Sequence, residues 1–101
     1  MGYKAIDVTP KKWTNIIVLY DDDTYSVCWG NYEGSLNRKL AVRWNDNFPR
    51  QGANPTWYIE YDKFHKEQIE ILIRIYEKKD LLNEEEKSYY KNCKIAYEEA
   101  K

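Results

Sequence analysis

The spacing of apolar residues changes once along this chain, near residue 61, and that change limits the folds open to it. Before it, as in Thr24 to Gly30, apolar and polar side chains alternate. A period of two is typical of strands with one buried face. After it, Ile69 and Leu72 begin a series spaced by three and four, which is typical of a helix. We therefore predict one α+β domain over 1–101, with residues 1–61 rich in strands and 62–101 forming two helices.

Four or five strands are predicted in an antiparallel meander. They are Tyr3 to Val8 at an edge, Trp13 to Tyr20, Thr24 to Gly30, Arg38 to Asn45 and Thr56 to Tyr61. Three consecutive aspartates, Asp21 to Asp23, provide the turn of a hairpin, because short polar side chains bond the local backbone.

We predict different surroundings for the two faces of this sheet. The helix-facing set is Tyr25, Val27, Trp29, Leu40, Val42, Trp44, Trp57, Ile59 and Tyr61. The opposite set includes Ser26, Cys28, Ala41, Arg43, Asn45 and Tyr58. We expect that second face to contact water, which an antiparallel sheet tolerates.

The last 40 or so residues are predicted to form a helical hairpin on one face of the sheet. Asp62 is the expected N-cap of a helix that runs to about Lys79. Asn83 and Glu86 have the spacing of a capping box and predict the start of the second helix. Its apolar stripe contains Tyr89, Cys93, Ala96, Tyr97 and Ala100.

Charge and hydropathy exclude some classes of function. The chain has 16 basic and 17 acidic residues, so it lacks the basic excess of a sequence-independent nucleic-acid binder. No apolar run reaches the length of a membrane span, and the N-terminus has no signal-peptide core, so we expect a cytoplasmic protein without membrane contact. In that compartment Cys28 and Cys93 are expected to be free thiols.

No catalytic set is visible. His65 is the only histidine, and it lacks partners at the spacing of a triad or a zinc site, so a solvent-facing or helix-start position is expected. The sequence has no glycine-rich phosphate loop and no paired CxxC. We predict no catalytic residue, metal ligand or cofactor, and we favour a protein without enzymatic activity.

The most informative stretch is Arg38 to Tyr61, which contains two tryptophans and a long connection, Asp46 to Pro55. Long connections in compact domains are often functional, and Arg, Tyr and Trp are enriched in interfaces. One interpretation is a recognition surface made of Arg43, Asn45, Arg50, Gln51 and Tyr58. The alternative is that Trp44 and Trp57 belong to the core and the connection has no role in binding.

The same stretch carries a resemblance. The run LAVRWN, followed by FPRQG and then NPTWYI, is similar to a pattern in small bacterial proteins of mobile elements, including integron gene cassettes and prophages. It covers residues 40–59. The resemblance implies an accessory protein that binds a host or phage component, and it implies no chemistry.

Three hypotheses for function follow. The first is a non-catalytic binding protein that associates with itself or with a host or phage protein. The second is a small-molecule-binding protein or enzyme with a pocket between sheet and helices, lined by Trp29, Trp44, Trp57, Tyr76 and Tyr97. The third is an acidic inhibitor of a nucleic-acid enzyme, acting through Glu84, Glu85, Glu86, Glu98 and Glu99. Direct binding of nucleic acid is disfavoured, because the strand-centre aromatics share a phase with aliphatic residues.

Overall fold

The architecture is α+β, as predicted, with a four-stranded antiparallel sheet and two helices. The computed structural model describes residues 4–45, 48, 50–51 and 54–100, and the side chains of 50, 51, 54 and 55 are not described. The strands are β1 (Trp13–Asp21), β2 (Tyr25–Tyr32), β3 (Lys39–Trp44), β4 (Arg50–Gln51), β5 (Asn54–Pro55) and β6 (Tyr58–Ile59). The helices are α1 (His65–Glu77) and α2 (Glu84–Glu99), with 3-10 turns at Ala5–Asp7 and Asp62–Phe64.

The sheet is a meander in the order β1, β2, β3, β6, and β4 pairs with β5 in a separate two-stranded hairpin. The predicted turn between β1 and β2 is confirmed. Asp22 Oδ1 accepts hydrogen bonds from the backbone N–H groups of Thr24, at 2.7 Å, and Tyr25, at 2.8 Å. The aspartate side chain therefore closes the hairpin by bonding the backbone two and three residues further on.

The first helix starts later than the sequence indicated. Asp62 begins a 3-10 turn, α1 begins at His65, and Phe64 occupies the N-cap position without a side-chain hydrogen bond. Asp62 is not a cap because its Oδ2 lies 3.0 Å from Nζ of Lys39 and accepts a hydrogen bond from it. The carboxylate therefore bonds a side chain of β3 and not a backbone N–H at the helix start.

The second helix starts where predicted, with both bonds of the capping box. Asn83 Oδ1 accepts from the backbone N–H of Glu86 at 2.8 Å, and Glu86 Oε1 accepts from the backbone N–H of Asn83 at 3.1 Å. Two helix-terminal donors that would otherwise lack partners are satisfied in this way.

The helices cover one side of the sheet, called here the helix-side face, which carries Val27, Trp29 and Leu40. α2 packs on the sheet, chiefly on β1, and α1 packs on α2. The core between them contains Leu19, Val27, Trp29, Leu40, Ile69, Leu72, Tyr76, Cys93, Ala96 and Ala100. The buried hydroxyl of Tyr76 donates to the carbonyl of Leu19 at 2.6 Å, which ties α1 to β1.

The prediction that the opposite face contacts water is wrong. The polar and small side chains assigned to it are buried, namely Ser26, Cys28, Ala41, Arg43 and Asn45. A second apolar cluster covers this N-terminal face, and it consists of Ala5, Val8, Trp13, Val18, Cys28, Ala41 and Trp57. The domain therefore has three layers, with the sheet between the helices and the N-terminal segment.

The N-terminal segment is not the edge strand predicted for Tyr3 to Val8. Its residues from 5 to 7 form a 3-10 turn, while residue 3 lies outside the described residues. Ala5 and Val8 are three residues apart, so one such turn brings both side chains to the same side, where both are buried. The carbonyl of Val8 accepts from Nε1 of Trp57 at 2.9 Å, which joins the segment to the chain before β6.

The last strand has the opposite phase to the one predicted. Tyr58 pairs with Val42 and Ile59 with Ala41, and side chains of paired residues share a face. Tyr58 therefore lies on the helix-side face, while Trp57 and Ile59 pack with the N-terminal cluster and Tyr61 is exposed. A shift of one residue exchanges the faces of a whole strand.

Replacing Asn83 by alanine tests the capping box. We expect the free energy of unfolding to fall by about 1 kcal/mol, because the backbone N–H of Glu86 loses its acceptor, Asn83 Oδ1. Chemical denaturation followed by circular dichroism measures the change. Lys91→Ala, at an exposed position in the middle of α2, is the control and should stay within about 0.5 kcal/mol of the original protein. Equal losses in both variants would contradict the capping role.

The two cysteines should be inert in the folded protein. Cys28 and Cys93 are both buried and free, in the clusters on opposite faces of the sheet. Burial raises the pKa of Cys93 to about 12 and that of Cys28 well above its usual range. Because the thiolate is the reactive form, we expect a thiol reagent at pH 8 to label neither cysteine before unfolding and both in denaturant. Rapid labelling of the native protein, followed by mass spectrometry, would refute this arrangement.

Candidate functional site

Asn45, predicted on the recognition surface, lies instead in a buried polar network. Its Nδ2 donates to Oδ1 of Asp21 at 3.0 Å and to the carbonyl of Asp22, and its Oδ1 accepts from the hydroxyl of Ser26. The same hydroxyl also contacts Asp21 Oδ1, at 2.9 Å, and Asp21 Oδ2 accepts from the backbone N–H of Ala5 at 3.0 Å. These bonds join the end of β3 to the β1–β2 turn and to the N-terminal segment, so Asn45 has a structural role.

Two more residues of the predicted recognition surface have described side chains, and one of them, Arg43, is buried while the other, Tyr58, is exposed. Arg43 is 1% exposed and pairs across the sheet with Ser26, so it faces the N-terminal cluster rather than solvent. Arg50 and Gln51 pair with Pro55 and Asn54 through the backbone, and their side chains lie outside the described part. Tyr58 alone of the five is shown on the surface, with 58% of it exposed.

Tyr58 lies in a pocket at the end of the helix-side face that the helices leave uncovered. We call it the aromatic pocket, because four of its lining residues are aromatic, Tyr25, Trp44, Phe48 and Tyr58; the others are Val42 and Arg43 of β3. Strand register assembles it, because Tyr25 pairs with Trp44 and Val42 with Tyr58. The pocket has a volume of about 240 Å³.

Three of its rings are open to solvent, because Trp44 is 50% exposed, Phe48 62% and Tyr58 58%. The ring of Tyr25 meets that of Trp44 edge to face, with centroids 4.8 Å apart and planes at 62°. The backbone of Phe48 bridges to that of Trp44, with the N–H of Trp44 donating to the Phe48 carbonyl at 2.6 Å. The pocket is therefore built on paired backbone and not on free side chains alone.

The polar atoms of these rings have spare hydrogen-bonding capacity. No described residue hydrogen-bonds Nε1 of Trp44 or the hydroxyls of Tyr25 and Tyr58. A tyrosine hydroxyl is protonated at neutral pH and can donate, and burial, followed by the negative charge of Glu60, raises the pKa of Tyr25 further. Glu60 itself accepts from Nε2 of Gln68 at 3.0 Å and has no basic partner in the described part of the chain.

The five residues predicted to line a pocket between sheet and helices are not brought together. Trp29 and Tyr76 are buried in the helix-side core, and Trp57 lies in the cluster on the other face. Tyr97 is half buried beside α1, where Nζ of Lys66 sits 4.6 Å above its ring. Trp44 is the one predicted lining residue in the aromatic pocket. Sequence reasoning missed the roles of Tyr25 and Phe48, because the sequence carries no signal for where the helices stop covering the sheet.

The acidic residues of α2 fall into two groups. Glu84 to Glu86 and Glu98 to Glu99 lie at opposite ends of the helix, about 20 Å apart at 1.5 Å per residue. Several are paired: Glu84 with Lys87 at 3.4 Å, Glu86 with Lys79, and Glu99 with Arg38. The inhibitor hypothesis stays a prediction from the sequence.

His65 is the first residue of α1 and is buried, so the helix-start expectation is confirmed and a solvent-facing position is wrong. Its Nε2 lies 2.9 Å from the carbonyl oxygen of Glu60, and its ring meets that of Trp29 at 79°. Over the residues that the structure describes, no group of three or more His, Cys, Asp or Glu side chains is placed to hold a metal ion.

No family model, curated protein or solved structure matches this chain. In the part of the chain described here, neither helix has the length and apolar character needed to cross a bilayer.

Asn45→Ala tests the buried polar network. It removes an acceptor from Ser26 and a donor from Asp21, and we expect the free energy of unfolding to fall by about 1–3 kcal/mol because buried polar groups are left without partners. Denaturant titration measures the loss. Asn37→Ala, at an exposed position before β3, is the matched control and should change stability little. A fully stable Asn45→Ala protein would show that the network does not hold β3 to the hairpin.

Proposed function

We propose that this protein is a non-catalytic binding module whose aromatic pocket takes an extended, proline-containing segment of a partner protein. The observation that carries the proposal is the exposure of Trp44, Phe48 and Tyr58 around one cavity on a hydrogen-bonded strand framework. Exposed aromatic groups of this kind are unusual outside interfaces, where Tyr, Trp and Phe are enriched.

A polyproline II segment suits the chemistry of this pocket. Such a segment has no internal hydrogen bonds and presents its carbonyl groups to a partner, while its rings pack in aromatic-lined grooves. The pocket offers both features, because Tyr25 and Trp44 form an angled pair of rings and Nε1 of Trp44 bonds no described residue. The segment is also extended before it binds, so less conformational entropy is lost on association.

Charge indicates what should flank the prolines. Glu60 follows Tyr58 by two residues, its negative charge contributes to the raised pKa of Tyr25, and no described basic side chain pairs with it. A lysine or arginine beside the prolines would therefore meet a complementary charge. The same carboxylate opposes a phosphate backbone, and single-stranded nucleic acid requires a basic groove as well as stacking rings. The charge thus favours a basic peptide over nucleic acid.

The source of the partner and the compartment remain predictions from the sequence. A host or phage protein is the partner that the resemblance over residues 40–59 implies, and the cytoplasmic location stays an expectation. A second copy of this chain is the alternative occupant of the aromatic pocket, because β6 is a short edge strand beside it.

Titration of a short peptide with alternating prolines and one arginine tests the proposal. We expect saturable shifts of the Tyr25, Val42 and Trp44 amide signals in a nitrogen-labelled sample. Tyr58→Ala should weaken binding about tenfold or more, since a hot-spot ring contributes 2 kcal/mol or more. Phe64→Ala is the matched control, because Phe64 is also an exposed ring, 49% accessible, outside the pocket.

Two outcomes would overturn the proposal. One is the absence of any saturable shift in a folded sample at millimolar peptide. The other is equal weakening by Tyr58→Ala and Phe64→Ala. Light scattering of the free protein distinguishes a second copy of this chain from a peptide as the occupant. The second-copy alternative requires a dimer that dissociates in the Tyr58→Ala variant. It also requires that added peptide leaves the dimer intact.

A further inference from the structure

Helix α1 and the turn before it carry a second exposed apolar surface, which shares no residue with the lining of the aromatic pocket. It consists of Phe64, at the N-cap position, Ile71, which is 57% exposed, and Ile75, which is 43% exposed. Residues separated by four and by seven positions lie on the same side of a helix, so the three side chains form one line, called here the α1 stripe. A contiguous exposed apolar surface of this kind is typical of an interaction site.

The α1 stripe lies on the side of the helix that neither the sheet nor α2 covers. Ile69 and Tyr76 mark the sheet side, because both are buried in the helix-side core. Lys66 marks the α2 side, because its Nζ lies 4.6 Å above the ring of Tyr97. Ile71 is two residues from the first of these positions and five from the other two. With 3.6 residues per turn, its side chain therefore points roughly 140° or more around the helix from all three.

The charges that border the stripe on α1 are complementary to themselves. Glu67 lies in the first turn and Arg74 in the last, and both are exposed. Glu67 forms no ion pair with a described residue, and Arg74 forms an exposed pair with Glu70, at 3.5 Å, of the kind that contributes little to stability. A second α1 that runs in the opposite direction would bring its basic end to the acidic end of the first, and the two helix dipoles would also be opposed. A parallel arrangement would bring like charges together.

We propose that the occupant of the α1 stripe is a second copy of this chain, in a two-fold symmetric dimer whose α1 helices pack antiparallel. A two-fold contact uses the same surface on both subunits, so that surface must be complementary to itself, as the stripe and its bordering charges are. With Glu67 of each copy facing Arg74 of the partner subunit, the two-fold axis passes midway between positions 67 and 74. Ile71 lies next to that axis, so the two copies of this side chain meet at the centre of the contact.

The size of this contact sets the strength expected of the dimer. Helix α1 has 13 residues and is about 20 Å long, so a contact along it is small beside the ~1,600 Å² of a standard protein–protein interface. We therefore expect a weak dimer that dissociates on dilution. Because the aromatic pocket shares no residue with the stripe, the dimer does not depend on the proposed peptide site.

Sedimentation equilibrium of the full chain, from micromolar to millimolar concentration, tests the dimer. We expect the average mass to rise from that of one chain toward that of two. Ile71→Ser should raise the dissociation constant about tenfold or more, because both copies lose a side chain at the centre of the contact. Ile95→Ser is the matched control, since Ile95 is an exposed isoleucine of α2 and lies outside the stripe. Tyr58→Ala should leave the dimer unchanged, so failure of the peptide site and failure of the dimer are distinguishable.

Charge reversal tests the antiparallel direction. Glu67→Arg and Arg74→Glu should each weaken the dimer about tenfold, because every pair across the two-fold axis then joins like charges. An equimolar mixture of the two variants should associate again, since each pair between unlike subunits joins opposite charges. The double variant, which carries both substitutions in one chain, should dimerise about as well as the original protein.

Three results would overturn the proposal, provided that circular dichroism shows each variant to be folded. The first is a mass of one chain at millimolar concentration. The second is a dimer that Ile71→Ser and Ile95→Ser weaken equally, or that only Tyr58→Ala dissociates, which would place the contact elsewhere. The third is a mixture of the Glu67→Arg and Arg74→Glu variants that associates no better than either variant alone, which would exclude the antiparallel pairing of α1.

Discussion

The register of β3 between β2 and β6 is the constraint on which the rest of this structure depends. Tyr25 opposite Trp44, and Val42 opposite Tyr58, place the aromatic rings on the helix-side face. The alternate residues then face the N-terminal segment. A slip of one residue would move Trp44 and Val42 into that cluster and bring the buried polar residues under the helices. The aromatic pocket therefore exists only in this register.

The buried polar network shows how the register is held at the end of β3. Ser26 and Asn45 bond Asp21, and Asp21 in turn receives the backbone N–H of Ala5. One carboxylate thus connects the hairpin, β3 and the segment that covers the N-terminal face. Such a network is favourable only when its members are satisfied together, so it selects one arrangement of these three segments over others.

The two cavities follow from how far the helices extend over the sheet. α2 lies chiefly on β1, and α1 packs on α2, so the far corner of the face near β6 stays open and exposes Trp44 and Tyr58. At the other end, the first turn of α1 and the last turn of α2 meet the start of β3, and their charged side chains line a second cavity. Both cavities thus lie where helical cover ends.

The local pattern of the sequence determined the elements. Alternation in Thr24 to Gly30, the aspartate turn and the Asn83 capping box each depend on neighbouring residues, and each is present in the structure. The tertiary structure decided the rest, because the phase of β6, the burial of Arg43 and the exposure of Trp44 depend on which distant segments pack together. A pattern of period two shows that a strand has two faces, but it does not show what will cover each of them.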